Sequence, residues 1–291
     1  MEVFKMRPIN EEDEEKLQNI QPCVSSELLP EDHLITLKTM GYQPLLLIDN
    51  FDKMLAGLAE LEVSEDVVYL GLLSVPKGIH VWNDISELCR LCVERRPSYN
   101  MFIRIIEEMN QTGYFASSFP IRSEVTLQQA VAQRIEANRL VVRVPGVAVV
   151  DLTQDHLRDV VAYDEVIMSY KRFNYINTLT RDSRTLTKLA FEQNAICGFV
   201  ILQQLADGRA LAEHLVADDR HVAKLLLKKA MDEFPPAKMG IILVIPRRPR
   251  EESVNFADDL QVTVERRSSL AYSRYSVRYR YQKIFSIAEF V

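Results

Sequence analysis

The feature that most constrains this chain is a strand, a short turn and a helix that occur twice in the same order. In the second copy, residues 210–217 form an apolar run bounded by Gly208 and by Asp218–Asp219, which is typical of a buried strand. The next segment predicts a helix with Asp219 as its N-cap and one apolar stripe, formed by Ala223, Leu226, Leu227, Ala230 and Phe234. A unit of this kind has to bury its stripe against a sheet.

The first copy has the same plan. Residues 67–75 form an apolar strand, and Pro76 and Gly78 interrupt it. Asp84 and Glu87 have the spacing of a capping box, which predicts a helix over 84–95. The apolar stripe of that helix consists of Ile85, Leu88, Cys89 and Cys92.

A predicted hairpin precedes each unit, and the two copies are separated by roughly 140 residues. The hairpin turns fall at Asn50 and Asn194, and the second strand of each hairpin carries one glycine, Gly57 or Gly198. Two copies of the same order of elements predict two similar domains in tandem.

We therefore expect an α/β protein with an N-terminal domain at 1–125 and a C-terminal domain at 146–291. A linker helix and its connection are placed at 126–145, because residues 126–138 have a polar helical pattern that the repeat lacks. The tail, residues 270–285, alternates tyrosine and arginine and predicts a terminal strand.

Composition narrows the class of protein. The net charge of −6 argues against bulk attraction to nucleic acid or to an anionic membrane. Apolar runs stay shorter than the ~20 residues of a membrane span, and the charged start lacks the core of a signal peptide. The four scattered cysteines are typical of a reducing compartment. We expect a cytoplasmic or nuclear protein that binds neither nucleic acid nor membrane.

The order of elements is strand, two helices, a three-strand meander, helix, strand, short helix and closing strands. This order, present twice, resembles the GNAT superfamily of acetyl-CoA-dependent N-acetyltransferases. Residues 163–179, 196–204 and 210–233 are similar to the C-terminal domain of the YitH-type tandem acetyltransferases. The resemblance implies two tandem GNAT-like domains, each a mixed, mostly antiparallel sheet flanked by helices.

The resemblance also implies where acetyl-CoA, the expected cosubstrate, would bind. In that superfamily a glycine-containing loop at the start of the helix after the fourth strand holds the pyrophosphate, since free amides at a helix N-terminus attract phosphate. In the first domain this place corresponds to Leu73, Ser74, Val75, Lys77, Gly78, Ile79, His80 and Val81. An ordinary turn with a surface lysine is the alternative. In the second domain the loop contains Asp218 and Asp219 and no glycine, so we expect a degenerate site.

The general acid of the superfamily is a tyrosine that reprotonates the departing thiolate. Met109 and Ala257 stand at the two corresponding positions, and neither can donate a proton. Tyr99 and Tyr114 lie nearby in the sequence, and either could substitute or simply pack.

A base would keep the attacking amine neutral, and the candidates are Glu60, Glu62 and Tyr69. Glu60 and Glu62 are predicted to share one face of a strand, where a solvated surface is the alternative. In the second domain Glu213 and His214 interrupt an apolar strand, and we expect a satisfied core histidine there.

The remaining motifs give weaker indications of function. Cys89 and Cys92 lie in a helix stripe with no second ligand pair, so core packing is predicted and no metal site. The sequence lacks the glycine-rich motifs of serine hydrolases, dinucleotide enzymes and P-loop NTPases. The basic-aromatic tail could bind single-stranded nucleic acid, but an ordinary strand is favoured.

Two functional hypotheses follow. The first is an acetyl-CoA-dependent N-acetyltransferase that uses an acyl-CoA and an amine acceptor of unknown identity. The alternative is a non-catalytic, acetyltransferase-like binding or scaffold protein with a degenerate CoA loop. The sequence does not identify the acceptor or the oligomeric state.

Overall fold

The chain separates into two compact units. The computed structural model describes residues 5–8, 20–22, 43–48, 54–76, 82–107, 113, 115–141, 143–205, 207–247 and 256–288. The N-terminal unit is built mainly from Met1–Ser123 with Ser268–Ser276, and the C-terminal unit from Glu124–Arg267 with Val277–Phe290. Residues 268–276 therefore cluster with the first unit, although they lie late in the sequence.

The first half of the chain contains seven described strands and one described α-helix. The strands and helix are β1 (Lys5–Pro8), β2 (Ile20–Pro22), β3 (Gln43–Ile48), β4 (Met54–Ser64), β5 (Val67–Pro76), α1 (Trp82–Arg95), β6 (Asn100–Ile106) and β7 (Ile121–Ala132). Helix α1 begins two residues before the predicted start, and it packs against β4 and β5.

The second half continues the numbering. Its elements are β8 (Val147–Asp151), α2 (Leu157–Met168), α3 (Phe173–Arg181), β9 (Thr185–Glu192), β10 (Ala195–Gln204), β11 (Ala210–Ala217), α4 (Arg220–Glu233), β12 (Ile241–Arg247), α5 (Phe256–Leu260), β13 (Thr263–Tyr272) and β14 (Ile284–Ile287). Strand β11 has the predicted bounds, and Asp219 is the N-cap of α4 as predicted.

Both units have the same strand order, in accordance with the sequence repeat. In the N-terminal unit the order is β1-β3-β4-β5-β6-β13, and in the C-terminal unit it is β8-β9-β10-β11-β12-β7. The first three pairings of each sheet are antiparallel, the fourth is parallel and the fifth is antiparallel. The mixed, mostly antiparallel sheet predicted for each domain is confirmed.

The helix stripes supply the predicted cores. In α1, the side chains of Leu88, Cys89 and Cys92 are fully buried against strand residues such as Val68 and Leu70. Burial also raises the pKa of both thiols. In α4, the predicted stripe is buried against β9, β10 and β11. Within the described part of the chain, the helices are too short or too polar to span a bilayer.

The linker helix predicted at 126–138 is wrong. Residues 121–132 form β7, and Thr126–Ala132 pair with the whole of β12. Glutamine and alanine favour a helix locally, but this propensity is weak and a complete ladder of strand hydrogen bonds overrides it. The single strand predicted over 270–285 is also wrong, because β13 ends at Tyr272 and β14 begins only at Ile284.

Candidate functional site

In the N-terminal unit the two parallel strands stop pairing before β5 ends, and we call the point where they part the opening. Val67–Leu70 of β5 pair with Asn100–Ile103 of β6, whereas β5 continues to Pro76. Beyond Leu70, the same strand is joined near its end by β2, which pairs Ile20–Pro22 with Ser74–Pro76. The carboxyl ends of parallel strands are where open α/β sheets bind ligands.

Three of the eight predicted cofactor residues lie on β5 beyond the ladder with β6. Leu73, Ser74 and Val75 form the end of β5, where the backbones of Ser74 and Val75 pair with β2. The connection from Pro76 to α1 contains Lys77, Gly78, Ile79, His80 and Val81, and all five lie outside the described residues.

Glu60 and Glu62 lie together on one face of β4, as predicted. They stand opposite Leu70 and Val68, on the side covered by α1. Arg95 at the end of α1 binds the Glu60 carboxylate at 2.6 Å, and Arg96 contacts both glutamates. Glu60 is 1% exposed, so the alternative of a solvent-exposed strand face is wrong for this residue. Half of the Glu62 side chain is exposed.

Tyr69 lies on the opposite face of the sheet. Its strand partner is Leu61, which alternates with the two glutamates. The Tyr69 ring is buried, with its centroid 4.9 Å from that of Phe102, and Phe102 stacks in turn on Tyr272 at 5.6 Å. The structure therefore separates Tyr69 from Glu60 and Glu62.

The glutamates are also remote from the predicted phosphate turn. Glu62 stands opposite Val68, and the eight strand steps from Val68 to Pro76 span about 26 Å at ~3.3 Å per residue. Tyr69 lies on β5 itself, one residue before the end of the parallel ladder, whereas the two glutamates lie on the neighbouring strand β4. Tyr114 and Met109 lie outside the described residues, and Ala257 is buried in α5.

In the C-terminal unit, the two aspartates of the turn before α4 are hydrogen-bonded within the chain. Asp219 accepts hydrogen bonds from the amides of His221 and Val222 at 2.7 and 3.0 Å. Asp218 accepts from the hydroxyl of Tyr163 at 2.8 Å and from the ammonium of Lys283 at 2.7 Å. Two of the amides that could bind a phosphate at this helix end, those of His221 and Val222, are therefore already bonded to Asp219.

A buried polar cluster lies on the α2–α3 side of the same unit. Asp164 binds Arg172 through two hydrogen bonds of 2.8 and 2.5 Å, and both side chains are almost fully buried. Tyr175 donates a hydrogen bond to Glu213. Arg172 lies between α2 and α3, and its pairing with a residue eight positions earlier has no sequence signal.

His214 lies beside that cluster. Its ring is fully buried, and its centroid lies 5.6 Å from that of Tyr175 and 6.2 Å from that of Phe199. Burial, and then the charge of Arg172, lower the pKa of the imidazole well below its usual value. The histidine lies in the core as predicted. Neither ring nitrogen has a hydrogen-bond partner among the described residues, so the prediction that its hydrogen bonds are satisfied is wrong.

Comparison with known proteins defines the fold. No protein-family model and no curated protein sequence matches this chain. Among solved structures, a candidate acetyltransferase from Pyrococcus horikoshii is 17% identical with a TM-score of 0.70, covering 99% of this chain and 95% of its own.

Two further structures match over most of both chains. A tandem GNAT protein from the clavulanic acid biosynthesis pathway is 11% identical with a TM-score of 0.63, covering 93% of this chain and 98% of its own. A GCN5-related N-acetyltransferase from Sphaerobacter thermophilus is 13% identical with a TM-score of 0.61, covering 92% and 95%. The fold is therefore that of the GNAT acetyltransferases.

Proposed function

We propose that this protein is an acyl-CoA-dependent N-acetyltransferase that transfers an acetyl group from acetyl-CoA to an amine. The opening in the N-terminal unit carries the proposal, because β5 and β6 part after a four-residue ladder at their carboxyl ends. The fold supports it, since the similar structures are described as acetyltransferases. We place the acyl-CoA site in this unit and take the C-terminal unit as its degenerate copy.

The cosubstrate would use the end of β5 and the connection to α1. Backbone groups of β5 near Leu73 lie between the β6 ladder and the β2 ladder. Gly78 would let phosphate approach the backbone, and Lys77 would add a point charge. The equivalent turn of the C-terminal unit does not fit the phosphate of the cosubstrate, because Asp219 already caps the helix and Asp218 adds a second carboxylate.

The chemistry needs a neutral amine to attack the thioester carbonyl and a proton for the thiolate that leaves. Glu60 is shielded from solvent and bound to two arginines, so we assign it a structural role in joining β4 to α1. Tyr69 lies on β5, one of the two strands that part at the opening, and is the candidate that we favour for proton transfer. Tyr114 remains a candidate from its sequence position.

The finer assignment is to the YitH-type tandem acetyltransferases, and it rests on the residues of the C-terminal unit. Segments 163–179 and 196–204 belong to α2, α3 and β10, and 210–233 comprises β11 and α4. We propose this relationship together with a cytoplasmic location, and we leave the amine open.

Calorimetric titration with acetyl-CoA tests the site. Gly78→Glu adds bulk and negative charge at the proposed phosphate position, and it should weaken binding at least tenfold, which is about 1.4 kcal/mol. Lys77→Ala should have a smaller effect that shrinks with salt, because exposed charges are screened over ~8–10 Å. His221→Glu, at the exposed start of α4, is the matched control and should bind as the wild type does.

The outcomes separate the two hypotheses. Equal binding by wild type and Gly78→Glu would place the cosubstrate elsewhere. No binding by the wild type at millimolar acetyl-CoA would favour the scaffold protein. If acetyl-CoA binds, release of free thiol with a panel of amines measures transfer, and Tyr69→Phe should lower kcat without weakening acetyl-CoA binding.

A further inference from the structure

The parallel strands of the C-terminal unit part even earlier than those of the N-terminal unit. Strands β11 and β12 pair over Ala210–Ala212 and Ile241–Leu243, and both continue for at least four residues beyond this ladder. Here the space between them holds a strand of the same chain, β14, which pairs antiparallel with β11 through residues 214–216.

One side chain joins all three strands. The hydroxyl of Ser286 donates to the carbonyl of Ala212 in β11 at 2.8 Å and accepts from the amide of Val244 in β12 at 2.9 Å. Ala212 is the last residue of β11 in the ladder with β12, and Val244 is the first residue of β12 after that ladder. Beyond the strand, the amide of Ala288 donates to the carbonyl of Glu213 at 3.0 Å. Ser286 itself is fully buried.

The apolar side chains of this segment are buried on both faces. Ile284, Phe285, Ile287 and Ala288 are all at most 9% exposed. The Phe285 ring packs edge-on against Phe256 of α5, with centroids 5.0 Å apart. Burial on both faces is typical of an interior strand of a sheet.

We propose that the cleft between β11 and β12 is a binding site for an extended peptide strand, and that residues 284–288 of this chain are its built-in occupant. Backbone pairing with β11 supplies affinity, and the buried apolar side chains on either side of Ser286 supply selectivity. A hydroxyl at the centre is needed because it donates to one strand while accepting from the other. The proposal concerns the C-terminal unit and does not rest on acetyl-CoA binding.

Hydrogen exchange of the intact chain tests the role of Ser286. Ser286→Ala removes the hydroxyl and leaves the Val244 amide and Ala212 carbonyl without this partner. Exchange at Val244 and Ala288 should become at least tenfold faster. The matched control is Ser268→Ala, a buried strand serine of the N-terminal unit that accepts from Arg104, and it should leave these amides unchanged. Unchanged exchange in Ser286→Ala would overturn the proposal.

A second variant tests the cleft as a peptide site. Ile287→Asp places a charge at a fully buried position of β14 and should expel the strand from the intact chain. A labelled synthetic peptide of residues 281–290 should then bind this variant and not the wild type, and the same peptide with alanine for Ser286 should bind at least tenfold more weakly. Should the variant not fold, the exchange experiment decides alone.

Two outcomes would refute the proposal. One is a folded Ile287→Asp variant, with residues 284–288 unprotected, that does not bind the peptide. The other is loss of protection at Val244 in the wild type on addition of acetyl-CoA, with gain of protection at residues 218–222. Acetyl-CoA binding confined to the N-terminal unit leaves β14 protected, so failure of the proposed function and failure of this inference are distinguishable.

Discussion

Replacing Asp164 with alanine should destabilise the C-terminal unit by about 3–5 kcal/mol, because it leaves a buried guanidinium without its counter-charge. The side chains of Asp164 and Arg172 are 0% and 1% exposed, and two parallel hydrogen bonds join them. Burial lowers the pKa of Arg172, but the attraction of Asp164 outweighs it and raises the pKa above its ordinary value. Without Asp164, Arg172 therefore has to be buried as an unpaired cation or drawn out of the core.

The double variant Asp164→Ala/Arg172→Met separates the cost of an unpaired charge from the value of the pair. If the unpaired cation causes most of the loss, the double variant should recover at least 2 kcal/mol relative to Asp164→Ala, on the order measured for buried pairs replaced by apolar residues. The recovery follows because methionine fills part of the volume of arginine and needs no hydrogen bonds.

Urea unfolding followed by two probes is the assay. The single tryptophan of the chain, Trp82, begins α1 in the N-terminal unit, whereas far-ultraviolet circular dichroism reports on both units. Asp164→Ala should shift the dichroism transition and leave the fluorescence transition in place. A loss below 1 kcal/mol, or a double variant no more stable than Asp164→Ala, would refute the reasoning.

Two further predictions concern the same unit. Gly198→Ala should cost about 1–3 kcal/mol in urea unfolding, because a Cβ there would lie 2.8 Å from the Val216 carbonyl oxygen and 2.9 Å from a Leu226 methyl; an unchanged midpoint would show that β10 and α4 can move apart. His214 stays neutral when folded, whereas the unfolded chain binds a proton near pH ~6.5, so stability is full above that pH and should fall by about 1.4 kcal/mol between pH 7.5 and 5.5. Urea titrations at the two pH values should show this loss in the free energy of unfolding for the wild type and not for His214→Phe. The same pH dependence in both proteins would contradict the prediction.

The local elements could be read from the sequence. The apolar run at Ala210–Ala217 gave strand β11 with its bounds, and the stripe through Leu226 gave the buried face of α4. A helix satisfies its hydrogen bonds within four residues, so its periodicity and its cap at Asp219 are written in adjacent positions. The repeat of these elements was enough to predict the same sheet twice.

Pairings between distant residues were decided only by the tertiary structure. Residues 126–132 have helix propensity but form a strand, because β12 offers a complete ladder more than a hundred residues later. The position of Ser286 between β11 and β12, and the contact of Arg172 with Asp164, likewise depend on how the chain returns to itself. Strand hydrogen bonds and buried ion pairs join groups whose separation along the chain has no fixed period, and for that reason the local pattern could not predict them.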